Sequence, residues 1–187
     1  MKNNTVITLT IFAAIIVASF FIANKLDFNN QITANTVRDD GFMEGKQIVN
    51  IQTTKGLIVA EIYEDLTPIT AKNFLGLVNE DFYNGLTFHR YVPGFVIQGG
   101  DPKGDGTGGS KNMIPLEIIK GLHHDKGVLS MARSSDPNSA SSQFYITLES
   151  APHLDGSYAI FGKVIEGMDV VMKLREGDVM QDVTVVN

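Results

Sequence analysis

Beyond Gln47, short apolar runs recur along the chain, and Gly, Asn, Ser or Asp separates each from the next. The runs are Thr87–Tyr91, Phe95–Gln98, Val128–Ala132, Gln143–Leu148 and Ala159–Val164, with a last one from Val179 to Val186. Segments of this length between turn residues read as strands. Ahead of them, Val49 and Ile51 alternate with Asn50 and Gln52, Lys55-Gly56 punctuates, and Ile58, Ala60 and Ile62 alternate again, a hairpin pattern. Only two stretches carry a helical period. Thr67-Pro68 predicts a helix start, with Thr as N-cap and Pro at the first helical position, where its missing N–H does no harm. Ala71, Phe74, Leu75 and Val78 then form one apolar stripe. A second, shorter helix is expected over Met168–Leu174, with Val170, Val171 and Leu174 inward. Many short strands and two helices predict a mainly β domain, a closed barrel or a sandwich with helical covers. At 187 residues the chain can hold one such domain and an appendage, but not two ordinary domains.

The appendage is at the N-terminus. Val6 to Ala23 is an 18-residue stretch without a charge, with Lys2 before it and Lys25 after it. At about 1.5 Å per residue it can just span a bilayer core of roughly 30 Å. An uncleaved anchor, a secretory signal peptide and a buried core helix all fit a run of this kind. A cut after Ala23 would put Phe21 where a small residue is wanted, which favours the anchor. Residues 24 to 45 are rich in Asn, Thr, Asp and Gly and have no period, so they read as a tether. The expected organisation is an anchor or signal over 1–24, a linker over 25–45 and a globular domain over 46–187. That layout predicts a single-pass cell-membrane protein whose domain is extracytoplasmic. If the segment is cleaved, the product is secreted or periplasmic.

Composition closes several routes. There is no cysteine, which excludes disulfides, zinc–thiolate sites, iron–sulfur clusters and a cysteine nucleophile. A net charge of −6, with residues 46–187 also acidic, gives no case for a nucleic-acid surface. Gly104-Asp-Gly106-Thr-Gly-Gly109 matches G-x-G-x-x-G, but Ser-Lys-Asn-Met-Ile-Pro115 follows where a dinucleotide site needs a helix start. Asp101 and Asp105 lack calcium-loop spacing, because Lys103 interrupts it and Asn112 stands at the terminal Glu position. His123-His124 cannot both face one metal from an extended segment, so one packed and one exposed imidazole are expected. No metal and no cofactor is expected.

The remaining motif is specific. Phe88-His-Arg90-Tyr-Val-Pro-Gly-Phe95-Val-Ile-Gln98-Gly-Gly-Asp101 resembles the central signature of the cyclophilins. Further motifs follow in family order: Gly106-Thr-Gly-Gly109, His124 through Leu129-Ser-Met-Ala132, Ser142-Gln143-Phe-Tyr145-Ile, Leu154-Asp-Gly156 and Ile160-Phe-Gly-Lys-Val164. The resemblance spans roughly Gln47 to Val186. It implies a closed eight-stranded antiparallel barrel capped by two α-helices, beside the N-terminal hydrophobic helix. It also implies peptidyl-prolyl cis–trans isomerase activity on proline-containing polypeptides, here exported or membrane-proximal ones, by a monomer. By position, Arg90 matches the catalytic arginine, Phe95 the aromatic floor of the proline pocket, and Gln98 the glutamine that braces arginine and substrate backbone. Gln143 and Tyr145 match the next strand's contributions, and Val96, Ala132, Leu154 and Tyr158 match pocket walls. Gly106 belongs to the glycine segment of the substrate-binding set, and Arg133 falls where the family offers a backbone carbonyl.

These residue types suit the chemistry. Delocalisation of the nitrogen lone pair sets a rotation barrier of roughly 18–20 kcal/mol. Twisted by about a quarter turn, the prolyl nitrogen recovers that pair and accepts a hydrogen bond, so a guanidinium beside it binds the transition state better than either isomer. Such a charge-assisted bond contributes roughly 1.5–3 kcal/mol. A non-catalytic module gripping proline segments is the rival reading, and Arg90 separates the two, since binding alone does not require that donor. Some rim positions depart from the best-known eukaryotic pattern: His153 stands at a tryptophan that contacts cyclosporin, Tyr158 at a histidine, Tyr145 at a phenylalanine and Val96 at a methionine. Catalysis is expected to survive these changes and cyclosporin inhibition to weaken.

Overall fold

The computed structural model describes residues 45–186; the expected hydrophobic helix and nearly all of the linker lie outside them. Among the described residues no helix is long and apolar enough to cross a membrane.

Eight strands form one antiparallel sheet: β1 (Lys46–Thr53), β2 (Gly56–Tyr63), β3 (Phe88–Val92), β4 (Val96–Gly99), β5 (Val128–Met131), β6 (Phe144–Thr147), β7 (Ile160–Glu166) and β8 (Met180–Val186). Among the described residues two helices accompany them, α1 (Pro68–Asn79) and the one-turn α2 (Met168–Val171), with a 3-10 turn at Pro152–Leu154. The first hairpin pairs in register from Lys46↔Tyr63 to Thr53↔Gly56. Val49 and Ile51 on β1, and Ile58, Ala60 and Ile62 on β2, turn inward as their period of two requires.

The sheet runs β3-β4-β6-β5-β7-β2-β1-β8, curls into a half-barrel, and does not close. This corrects the closed barrel expected from the resemblance. The end strands β3 and β8 share no ladder, only an isolated bridge between Thr87 and Val179 just before each strand. The connection into β8 occupies the space where pairing would continue. Phe88 N–H donates to Asp178 O, Gly177 N–H donates to Phe88 O, and Arg175 then stacks over the Tyr91 ring at 4.5 Å. From Tyr91 onward β3 meets a side chain instead of a strand.

The inner face of the curl holds an aromatic cluster. Phe74 of α1 lies 5.1 Å from Tyr83, 4.9 Å from Phe161 and 5.5 Å, edge-on, from Phe144 between ring centroids. The predicted stripe Ala71, Phe74, Leu75 and Val78 is the buried face of α1. The N-cap differs from expectation. Thr67 occupies the cap position, but its hydroxyl donates to Tyr63 O at 2.9 Å and caps nothing. The free N–H groups of Ile69 and Thr70 donate instead to the carboxylate of Glu117, at 3.2 and 2.8 Å.

Strands β5 and β6 are buried at every position. Met131, Phe144 and Ile146 belong to the core, while Ser130 and Tyr145, directly paired, share the other face. That face is covered by His124 and by the 3-10 turn, and the candidate site is built there.

Candidate active site

A row of directly opposed residues crosses the sheet: Arg90 on β3 faces Gln98 on β4, Gln98 faces Tyr145 on β6, and Tyr145 faces Ser130 on β5. Residues opposed in an antiparallel ladder share a face, so the register alone brings these four side chains together. Pro93-Gly94 reverses the chain between β3 and β4, with Gly94 at φ 69°, and Phe95 N–H closes the turn on Val92 O at 3.0 Å.

A hydrogen-bond chain aims the guanidinium. Arg90 Nη1 donates to Gln98 Oε1 at 3.1 Å, Gln98 Nε2 to Gln143 Oε1 at 2.9 Å, and Gln143 Nε2 to Gly106 O and Gly108 O at 3.1 and 2.7 Å. The glycine loop at the end of this chain is held from inside by the buried Asp101, which accepts the N–H groups of Lys103 and Gly106 at 2.8 and 2.6 Å. Burial alone would raise the Asp101 pKa. The N–H groups of Lys103, Gly108 and Gly106 outweigh it and hold the carboxyl below its usual range. A Cβ at Gly108 would collide with that carboxylate, so only glycine lets the loop close over it.

Beside Arg90 opens a cavity of about 180 Å³, lined by Phe95, Val96, Gln98, Ala132, Arg133, Tyr145, Leu154 and Tyr158 together with Arg90. Tyr158 meets Tyr145 edge-on at 6.1 Å, and the Arg133 guanidinium lies 4.6 Å over the Tyr158 ring. The remaining donors of Arg133 serve main-chain oxygens: Nε and Nη2 donate to Ser157 O at 3.1 and 2.9 Å, and Nη1 to Ser134 O at 2.8 Å. A second, more polar cavity of about 370 Å³ shares Gln98, Ala132 and Arg133 with the first and is otherwise walled by the glycine loop, several serines, Met113 and Gln143. The smaller space has the size and aromatic lining to hold a pyrrolidine ring, with a fixed cation at its mouth.

Residues 48–187 match the family model described as Cyclophilin type peptidyl-prolyl cis-trans isomerase/CLD. The chain belongs to the cyclophilins. It is 46% identical over 130 residues to peptidyl-prolyl cis-trans isomerase ppi1 of Schizosaccharomyces pombe, covering 67% of this chain and 83% of that one. It is 47% identical over 126 residues to peptidyl-prolyl cis-trans isomerase B of Bacillus subtilis, covering 67% and 87%. Among solved structures it resembles a cyclophilin type isomerase of Cryptosporidium parvum, with a TM-score of 0.71 and 34% identity, over 76% of this chain and 98% of that one. The same protein in the presence of the dipeptide Ala-Pro matches with a TM-score of 0.70 and 36% identity, over 75% and 99%. The chain is a peptidyl-prolyl cis–trans isomerase.

In this cyclophilin nine of the twelve residues singled out from the sequence line the smaller cavity. Gly106 and Gln143 line the larger one. His153 lines neither; its ring stacks on Phe95 with centroids 5.4 Å apart and planes 27° from parallel. Sequence reading missed the partners beneath Tyr145. His123-His124 is, as expected, one exposed and one buried imidazole, but the buried one bonds both Tyr145 and Asp155. A Tyr at a Phe position, with His and Asp elsewhere in the chain, was the signal available.

Proposed function

We propose that Arg90 accelerates X–Pro rotation by donating to the prolyl nitrogen once the amide is twisted. The observation that carries this reading is the guanidinium at the mouth of the aromatic-walled cavity, its fork steadied by Gln98 at 3.1 Å. Phe95, Val96, Leu154 and Tyr158 grip the pyrrolidine ring while the chain on the other side turns. Gln98 and Gln143 brace the donor and the substrate backbone. Excluding water from the amide favours the less polar twisted form, and no nucleophile or cofactor takes part. A protease-coupled proline-peptide assay on the full chain, with Arg90→Ala beside it, tests the assignment. An Arg90→Ala protein with wild-type kcat/KM would overturn it.

We further infer that the substrates are exported or membrane-proximal polypeptides. The support is the uncharged run Val6–Ala23 between Lys2 and Lys25, which suits a single-pass anchor with an extracytoplasmic domain. Cell fractionation checks this: the full chain should stay with membranes, and a soluble product beginning near residue 24 would assign the run to a cleaved signal.

A further inference from the structure

Beneath the pocket lies a group of ionisable side chains that the isomerisation chemistry leaves unused. Tyr145 is buried, with its ring at the cavity and its hydroxyl 3.1 Å from His124 Nε2. His124 is only 1% exposed, yet both ring nitrogens have partners. Nδ1 lies 2.8 Å from Asp155 Oδ1, and Nε2 also lies 3.3 Å from Ser130 Oγ. Asp155 directly follows the Pro152–Leu154 turn, which carries the pocket residue Leu154 and the ring stacked on Phe95. Its Oδ1 also accepts the main-chain N–H of His124 at 2.8 Å, and its Oδ2 meets the exposed His123 Nδ1 at 2.9 Å. The entry to the turn is tied to the same residue, because Ala151 N–H donates to His124 O at 2.7 Å.

These contacts fix a direction. A carboxylate can only accept, so His124 Nδ1 carries the hydrogen. Burial lowers the affinity of the ring for a second proton, outweighing the opposing pull of Asp155, so the ring is neutral near pH 7 and Nε2 is bare. The Ser130 hydroxyl donates to Ala159 O at 3.0 Å, which leaves Tyr145 as the group that donates to Nε2. The titratable and charged groups around the ring are Asp155 and His153 from the turn side, His123 and Asp125 on its own segment, and Tyr145 from β6. Arg133 and Tyr158 lie beyond Tyr145.

We propose that His124 is a positioning residue of the prolyl site, holding the Tyr145 wall through Nε2 and the Pro152–Leu154 rim through Nδ1 and Asp155, so that both keep one geometry. It touches no substrate. A proton added at Nε2 reverses the bond to Tyr145: the imidazolium donates to the phenol oxygen, and the hydroxyl hydrogen loses its acceptor beside an apolar cavity. The consequence is weaker substrate grip on acidification, seen in KM rather than kcat. This rests on the cavity being the proline site, which the Arg90→Ala comparison tests separately. If wild type fails to turn over, that reading falls; the outcomes below concern His124 in an active enzyme.

The experiment uses the full chain in the proline-peptide assay between pH 5 and 8, with His124→Gln, Tyr145→Phe and His123→Asn. Wild-type KM is expected to rise as His124 takes its second proton below pH 7, by about fivefold in full, the size of one ordinary hydrogen bond, with kcat nearly constant. Tyr145→Phe keeps the ring and removes the donor, so its KM should be raised already at pH 7 and should no longer respond to pH. It covers the case in which His124→Gln fails to fold. His123→Asn should keep the wild-type profile. Long-range ¹H–¹⁵N spectra should show His124 as the Nδ1-protonated neutral tautomer at pH 7. A wild-type KM unmoved at a pH where the spectra show His124 protonated, a Tyr145→Phe profile identical to wild type, or an Nε2-protonated neutral ring would each overturn the proposal.

Discussion

Arg90 and Tyr145 flank Gln98 on one row of the sheet, yet chemically different supports hold them. On the Arg90 side the chain runs through Gln98 and Gln143 to the carbonyls of Gly106 and Gly108, all amides with no proton to gain or lose near neutral pH. On the Tyr145 side it runs through a buried imidazole to a carboxylate shared with a second imidazole. In the proposed mechanism the donor to the twisted amide therefore stands on a support that does not titrate near neutral pH. The aromatic wall proposed to grip the ring stands on one that does. On that reading rate and grip respond separately to the surroundings, because different atoms carry them.

The largest effect that would break this division is at Arg90. Arg90→Ala should lower kcat/KM by about 10- to 150-fold, from the roughly 1.5–3 kcal/mol of a charge-assisted bond, and equally at pH 6 and pH 8. A deficit that varies with pH would show that the two sides are coupled.

Next comes Gln143→Ala, which leaves Arg90 in place but removes the acceptor of Gln98 and the cover of two carbonyls. A loss of about three- to tenfold, mainly in kcat, is expected from one ordinary hydrogen bond and the reorientation it permits. Steady-state kinetics beside a thermal unfolding curve separates misaiming from instability.

His153→Ala should cost less, about two- to fivefold in KM, because it removes only the stack over Phe95. His153→Trp in the same assay should tighten cyclosporin inhibition relative to the parent; unchanged inhibition would take the expected weakness away from this position.

The smallest effect is on acid stability, at the Asp155 carboxyl of the Tyr145 side. The side chain of His123 and the main-chain N–H and side chain of His124 together hold the Asp155 carboxyl at about 2. A depressed carboxyl pKa contributes stability above the unfolded value of about 3.9, and that contribution is lost as pH falls from there through 2. The two histidines act in opposite senses. His123, raised by Asp155, stabilises below its unfolded value and loses that as pH rises. His124, lowered by burial, destabilises progressively as pH falls below the unfolded value of about 6.5. Chemical denaturation at pH 2, 4, 6 and 8 should show Asp155→Asn losing most relative to wild type at pH 6 and above and converging with it near pH 2.

Much of this was legible in the sequence because it is local or periodic. The first hairpin, the α1 stripe and the pocket residues follow from spacing or from motifs in order. What was hidden depends on residues far apart in the chain. The open seam arises where Arg175 stacks on Tyr91, and nothing in either strand's own pattern reports that contact. The sharing of Asp155 by His123 and His124 spans about thirty residues. The resemblance marks Arg133 only as a backbone-carbonyl position and is silent on its side chain, whose fork is occupied by the carbonyls of Ser134 and Ser157. Continuous burial of β5 and β6 depends on what lies over their second face, which strand periodicity does not encode.

Helix α1 carries a consequence for the order of folding. Its own sequence sets the stripe and the first-turn proline, but the N–H groups of Ile69 and Thr70 wait for a carboxylate 48 and 47 residues further on. Closing so large a loop costs entropy before the two hydrogen bonds return any of it. The helix is therefore expected to form first as a frayed element held by Phe74 and its neighbours, with its leading turn setting when the segment around Glu117 docks. If its contacts form on the native side of the barrier, Glu117→Gln should speed unfolding and leave the folding rate nearly untouched, which stopped-flow unfolding and refolding would check.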